Sequence, residues 1–208
     1  MISRKRLDAG SLRQQVQRLP KVELHAHLEG SLPLRTLRVL AARHRLPVPP
    51  ARGFSDLHGF LTSFGAVCEL LADPGDFELA AFHLAREARR RGVLHLEVLV
   101  SPQVFARRGI PLGAMMRGLL RGRRRACQAF GLSLVYIADG VRQWGGEWFD
   151  DMVRMLAPYA GRGLAGIGVG GDEASVPASD FARAFRRARE RGHAGPAAGQ
   201  PLPRVRGR

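Results

Sequence analysis

The chain predicts an α/β fold built on a parallel sheet, on two observations. Four apolar runs of strand length, at 22–28, 93–100, 132–138 and 164–169, are spaced along the sequence. The segments between them carry apolar residues at helical spacing. Strands that alternate with helices pair in parallel through right-handed crossovers. At 208 residues the chain can bury one sizeable core, and no shift in composition divides it in two.

The elements follow in order. Residues 7–18 read as a short polar helix leading to Pro20, and the first strand stops at Gly30. Leu34, Leu37, Leu40 and Ala41 then recur at helical spacing until Pro47, Pro49 and Pro50. Ser55 or Asp56 can cap a second helix bearing Leu57, Phe60, Leu61, Phe64, Val67 and Leu71. Asp73-Pro74 opens a third, with proline at the first helical position, where its missing N–H is harmless. Its stripe is Phe77, Ala80, Ala81, Leu84 and Ala88, and Gly92 stops it. The second strand ends at Ser101-Pro102, and a helix over 112–130 ends at Gly131. The third strand runs into Asp139-Gly140, a helix occupies 147–159, and the fourth strand opens into Gly170-Gly171-Asp172-Glu173. A last helix covers 179–191. Beyond it, 192–208 is rich in Gly, Pro and Arg and reads as a disordered basic tail, out of frame with what precedes it.

The formal net charge is +15, and lysine occurs only at Lys5 and Lys21, so the positive charge is almost all arginine. Because the arginines are spread over every helix, they read as solvated helix faces rather than as a nucleic-acid patch. Cys68 and Cys127 are far apart in apolar helical surroundings, which fits free buried thiols in a reducing compartment. Residues 1–18 have no signal-peptide core, and no apolar run approaches the roughly 20 residues needed to cross a bilayer. A cytoplasmic protein with no membrane partner is expected.

The chemistry concentrates in Leu19-Pro20-Lys21-Val22-Glu23-Leu24-His25-Ala26-His27-Leu28-Glu29-Gly30-Ser31. Side chains alternate along a strand, so His25 and His27 project to one side and Glu29 continues on it. Zinc takes neutral imidazole nitrogen and three or four ligands in all, so the pair is half a site. The other reading of a bare H-x-H is a strand with half-buried polar histidines. The thirteen residues together resemble the first strand of the adenosine and adenine deaminase family, written L-P-K-x-E-L-H-x-H-L-[DE]-G-[AS]. That family folds as a zinc-dependent (β/α)8 barrel. The resemblance continues over 15–191. Phe60 to Leu71 with Asp73-Pro74-Gly75-Asp76-Phe77 is similar to the family's helical insertion after strand one, and Gly92 to Pro102 to its second strand. Leu99 stands where that strand usually has Arg. Gly166 to Glu173 resembles the fourth-strand motif ending in G-D-E.

The resemblance implies an N-terminal lead-in over 1–18 and, over 19–191, part of a TIM-type (β/α)8 barrel: about four strands, with the helical insertion after strand one. It implies hydrolytic deamination of adenosine, adenine or a related purine, in which zinc activates water against the carbon bearing the exocyclic amine and a carboxylic acid shuttles protons. His25 and His27 would be zinc ligands, with His27 and Glu29 also meeting the substrate. Gly171 would let the backbone approach the purine. Glu29, where adenosine deaminases generally carry Asp, is closer to the adenine-deaminase branch. A complete barrel needs eight strands and about 250 residues. The family's third histidine and catalytic glutamate lie in an H-A-G-E segment; His193-Ala194-Gly195 resembles its first three letters, but Pro196 replaces the glutamate and no fifth strand precedes it. Half of the ligand set is absent, so zinc would be held weakly and the chain alone would be inactive. The alternatives are a non-catalytic half-barrel that binds or regulates, and a basic nucleic-acid-binding protein. An open sheet edge also implies self-association, with Val135, Ile137, Ile167 and Val169 facing an unfilled barrel interior.

Overall fold

The computed structural model describes residues 9–50, 57–171 and 176–191. Four parallel strands form one sheet in the order β1-β2-β3-β4: β1 Lys21–His27, β2 Val93–Val100, β3 Ser133–Val141 and β4 Leu164–Gly170. The α-helices of the described residues are α1 Ala9–Arg18, α2 Leu34–His44, α3 Leu57–Glu69, α4 Pro74–Arg90, α5 Pro102–Arg107, α6 Leu112–Phe130, α7 Gly146–Leu156 and α8 Ala182–Glu190, with three short 3-10 turns at Arg142–Trp144, Ala157–Tyr159 and Ala178–Phe181. Strands added in sequence order, each reached through a helical crossover, make half of a (β/α)8 barrel, with α2, α3 and α4 inserted after strand one. The proposed helix caps Ser55 and Asp56, the end of the G-D-E motif and the segment 192–208 lie outside the described residues.

Local chemistry explains the boundaries. Asp73 caps α4 by accepting from the N–H groups of Gly75 and Asp76, while Asp76 reaches back to the N–H of Asp73, closing a capping box. The stripe Phe77, Ala80, Ala81, Leu84 and Ala88 is buried throughout. It meets α6, where Gly118 and Gly122 share one face: a Cβ on either would overlap the α4 backbone, at Pro74 and Glu78 respectively. Those two glycines let the helices approach at backbone distance. Helix α6 ends at Gly131, whose φ of +61° is the left-handed cap that glycine adopts without strain. Asp150 on α7 accepts two hydrogen bonds from Arg187 on α8, at 2.7 and 3.2 Å, tying the last helix to the one before it.

Three expectations are corrected. Strand β3 does not stop before Asp139-Gly140; it runs through both to Val141. Helix α5 follows Ser101-Pro102 directly, in a stretch read as no more than a strand end. Finally, the residues expected in the barrel interior divide between the two faces. Val135 pairs with Glu97 and Ile137 with Leu99, on the inward face. Ile167 pairs with Ala138 and Val169 with Gly140, on the face covered by helices. The inward positions of β4 are instead Gly166, Gly168 and Gly170. Of the cysteines, Cys68 is buried and Cys127 half-buried, both with free thiols.

Candidate functional site

The site lies at the C-terminal end of the sheet, where the loops leave the strands. In β1 the alternation puts His25 and His27 on one face, and their Nε2 atoms converge to 3.2 Å. Two imidazole nitrogens bound to one zinc at about 2.0–2.1 Å with a tetrahedral angle stand about 3.3 Å apart. Their separation therefore fits a shared metal without movement of the backbone. His25 is exposed and His27 half-buried. Burial, reinforced by the neighbouring His25, lowers the pKa of His27 and favours the neutral ring that a metal needs.

Glu29 follows on the same side and is buried, at 1 % exposure. Its Oε1 accepts from the N–H of Ser101 at 2.9 Å, so the end of β2 fixes its orientation. Its Oε2 has no hydrogen-bond partner among the described residues. Burial lifts the carboxyl to about 7, against the pull of the Glu29 and Ser101 N–H groups, and the charge of Asp139 adds to the rise. A carboxyl in this state can give or take a proton near neutral pH.

Gly171, after β4, has φ of +116°, a conformation that L side chains rarely adopt. The side-chain amide of the exposed Gln143 lies over it, in the space a Cβ would fill. His95 and Glu97, 3.7 Å apart on β2, pair with each other.

Sequence reasoning overlooked Asp139, since the third strand was expected to end before it, at Ala138. It sits on the inward face of β3 opposite Gly168, buried at 8 % exposure. Burial raises its carboxyl to about 6, and His25 draws it down. Two signals were available: carrying the alternation of Val135 and Ile137 one step further reaches Asp139, and glycines at every second position of β4 imply a neighbour that needs their space. Another cluster, His44, Asp73 and Asp76, has three groups with metal-ligand spacing. It is a helix-cap network: Asp76 already accepts from Arg43 at 2.6 Å, pairs with His44 at 2.8 Å and takes the N–H groups of Ala72 and Asp73. A guanidinium fills the place a cation would take.

Comparison with known proteins bears on this arrangement. The family model "Adenosine deaminase" matches residues 20–203. An adenine deaminase of Rhodopseudomonas palustris is 34% identical over 185 residues, 85% of this chain and 54% of that protein. An aminodeoxyfutalosine deaminase of Acidothermus cellulolyticus is 32% identical, covering 82% of this chain and 50% of its own length. Among solved structures, an amidohydrolase from Burkholderia ambifaria with bound zinc superimposes with a TM-score of 0.82 at 28% identity, over 93% of this chain and 55% of that one. The chain thus spans about half the length of the relatives it matches.

Proposed function

The chain belongs to the adenosine deaminase family, and we propose that it forms the metal-binding and substrate-facing half of a zinc-dependent hydrolytic deaminase of adenine or a related aminopurine. The observation that carries this reading is the His25–His27 pair, its nitrogens at 3.2 Å, beside a buried Glu29 with one free oxygen. His25 and His27 would hold the zinc. When bound, that ion supplies activation of the attacking water. Glu29, held by Ser101, offers Oε2 to a polar edge of the substrate, and Gly171 leaves room for the ring once Gln143 moves aside.

The proposal extends to what these residues do not do. Structural and catalytic zinc sites use at least three protein ligands, and a site of two binds weakly. Proton transfer needs a carboxylate within hydrogen-bond reach of the reacting nitrogen, and its loss alone costs about 10² to 10⁴ in rate. By the resemblance of His193-Ala194-Gly195 to the family's H-A-G-E segment, Pro196 takes the place of its glutamate. The 208-residue chain by itself is therefore catalytically silent. The unit that carries these residues is 19–191.

A second reading, association of the chain, is favoured by one observation: β1 and β4 are both sheet edges, and Val22 and Leu24 on β1 are 47% and 56% exposed. The test of the main reading is zinc titration by calorimetry. The wild-type chain should take up zinc, and the His25→Ala, His27→Ala double variant should not. Unchanged uptake by the double variant would overturn it.

A further inference from the structure

Asp139 has no task among the groups of the site, although β4 places glycines around it. It is buried, and no hydrogen bond from any described residue reaches its carboxylate. Its oxygens keep some contact with solvent, so the carboxylate is open to an arriving donor. The neighbouring strand makes room for it. A Cβ at Gly168 would lie 2.9 Å from Oδ1 of Asp139, and one at Gly170 would lie 2.9 Å from Oδ2. Real side chains do not approach so closely, so any other residue at either position would displace the carboxylate. Asp139 feels the charge of His25, and Glu29 feels that of Asp139, which puts it in the same end of the sheet as the histidine pair.

We propose that Asp139 is a ligand-binding residue whose carboxylate receives an N–H or O–H donor of the heterocycle held beside His25 and His27, with Gly168 and Gly170 keeping it in place. This rests on the reading of the chain as half of a purine deaminase. The donor has three sources, a ring N–H of a free base, a sugar hydroxyl of a nucleoside or the exocyclic amine that both carry, and the ligands chosen for the test separate them.

The experiment is equilibrium binding to the full 208-residue chain with zinc, using adenine, adenosine and 9-methylpurine, which carries no N–H or O–H. Asp139→Ala and the isosteric Asp139→Asn should weaken adenine or adenosine by about tenfold or more, the loss expected for a charge-assisted hydrogen bond. Neither should alter 9-methylpurine. Loss with adenine alone assigns the ring N–H; loss with adenosine alone assigns a hydroxyl; loss with both assigns the exocyclic amine. Gly168→Ala, which leaves the carboxylate present but displaced, should give the same pattern. Equal losses for all three ligands, affinities unchanged in every variant, or no binding by the wild-type chain would overturn the proposal. Zinc uptake measured on the same samples separates the two readings. Uptake retained in Asp139→Ala with no change in purine binding sinks this inference alone. Uptake indifferent to the histidines sinks the metal centre and leaves the Asp139 result standing.

Discussion

Single residues carry the chemistry of this chain, and the histidines show how position sets what an identical side chain does. Burial and its neighbour His25 push His27 toward the neutral form, and its Nε2 faces another imidazole. His83, on α4, is also held neutral, its pKa lowered to about 4 by burial and then by Arg86, Arg35 and Arg125. Its Nδ1 meets the Thr36 hydroxyl at 2.9 Å, a structural contact between α4 and α2. The folded pKa lies below the unfolded value, so the unfolded chain binds the proton first as pH falls. Stability is therefore full above about pH 6.5 and declines between there and about pH 4. Discounted for partial exposure, the loss is on the order of 1 kcal/mol. Denaturant melts between pH 7 and 4 should show that decline, and His83→Gln should flatten it; a slope unchanged in the variant would exclude His83 as its source. At this scale the sequence exposed the H-x-H pair and Glu29, because a two-residue period in an apolar run is plain to read. It hid Asp139, because the apolar run of the third strand ends at Ala138, and only the sheet's register carries the strand past it.

At the scale of elements, legibility followed local chemistry. The bounds of β2 and α6 agree with the sequence reading, since each is flanked by glycine or proline that forces the break. Helix α5 escaped because six residues are too few to show a period. The division of Val135 and Ile137 from Ile167 and Val169 escaped because a register shift lies between Tyr136 and Ile137 on the β3–β4 ladder, and alternation within one strand cannot fix its phase against the next. The α4–α6 contact rests on Gly118 and Gly122, where an added Cβ meets backbone that cannot step aside. Gly118→Val should therefore cost about 1–3 kcal/mol or more by overpacking, read as a lower urea midpoint with an unchanged slope. A midpoint within error of wild type would show the two helices to be less closely apposed. Loss of the α4 cap in Asp73→Ala should cost about 1 kcal/mol, because the Gly75 and Asp76 N–H groups lose their acceptor; an unchanged melt would show that water replaces it.

At the scale of the whole molecule, the decisive fact is that the four strands of the described residues leave two sheet edges. A closed barrel abolishes its edges, and here the exposed Val22 and Leu24 lie on an unclosed one. Sedimentation should show association that grows with concentration and weakens in Leu24→Lys; a strictly monomeric species at high concentration would contradict this. No helix among the described residues is long and apolar enough to cross a membrane. The family and the partial barrel were legible from the first strand onward, whereas the partner of each open edge lies in no residue of these four strands. The central claim is that the chain carries the metal-binding half of a deaminase and not its proton-transfer half. The most direct measurement is ammonia release from adenine and adenosine with added zinc, by the 208-residue chain and by a fusion in which residues 1–191 are joined to the C-terminal half of the Rhodopseudomonas palustris adenine deaminase. The account predicts no release by the chain alone, and release by the fusion that His27→Ala abolishes. Turnover by the chain alone, or a fusion indifferent to His27→Ala, would contradict it.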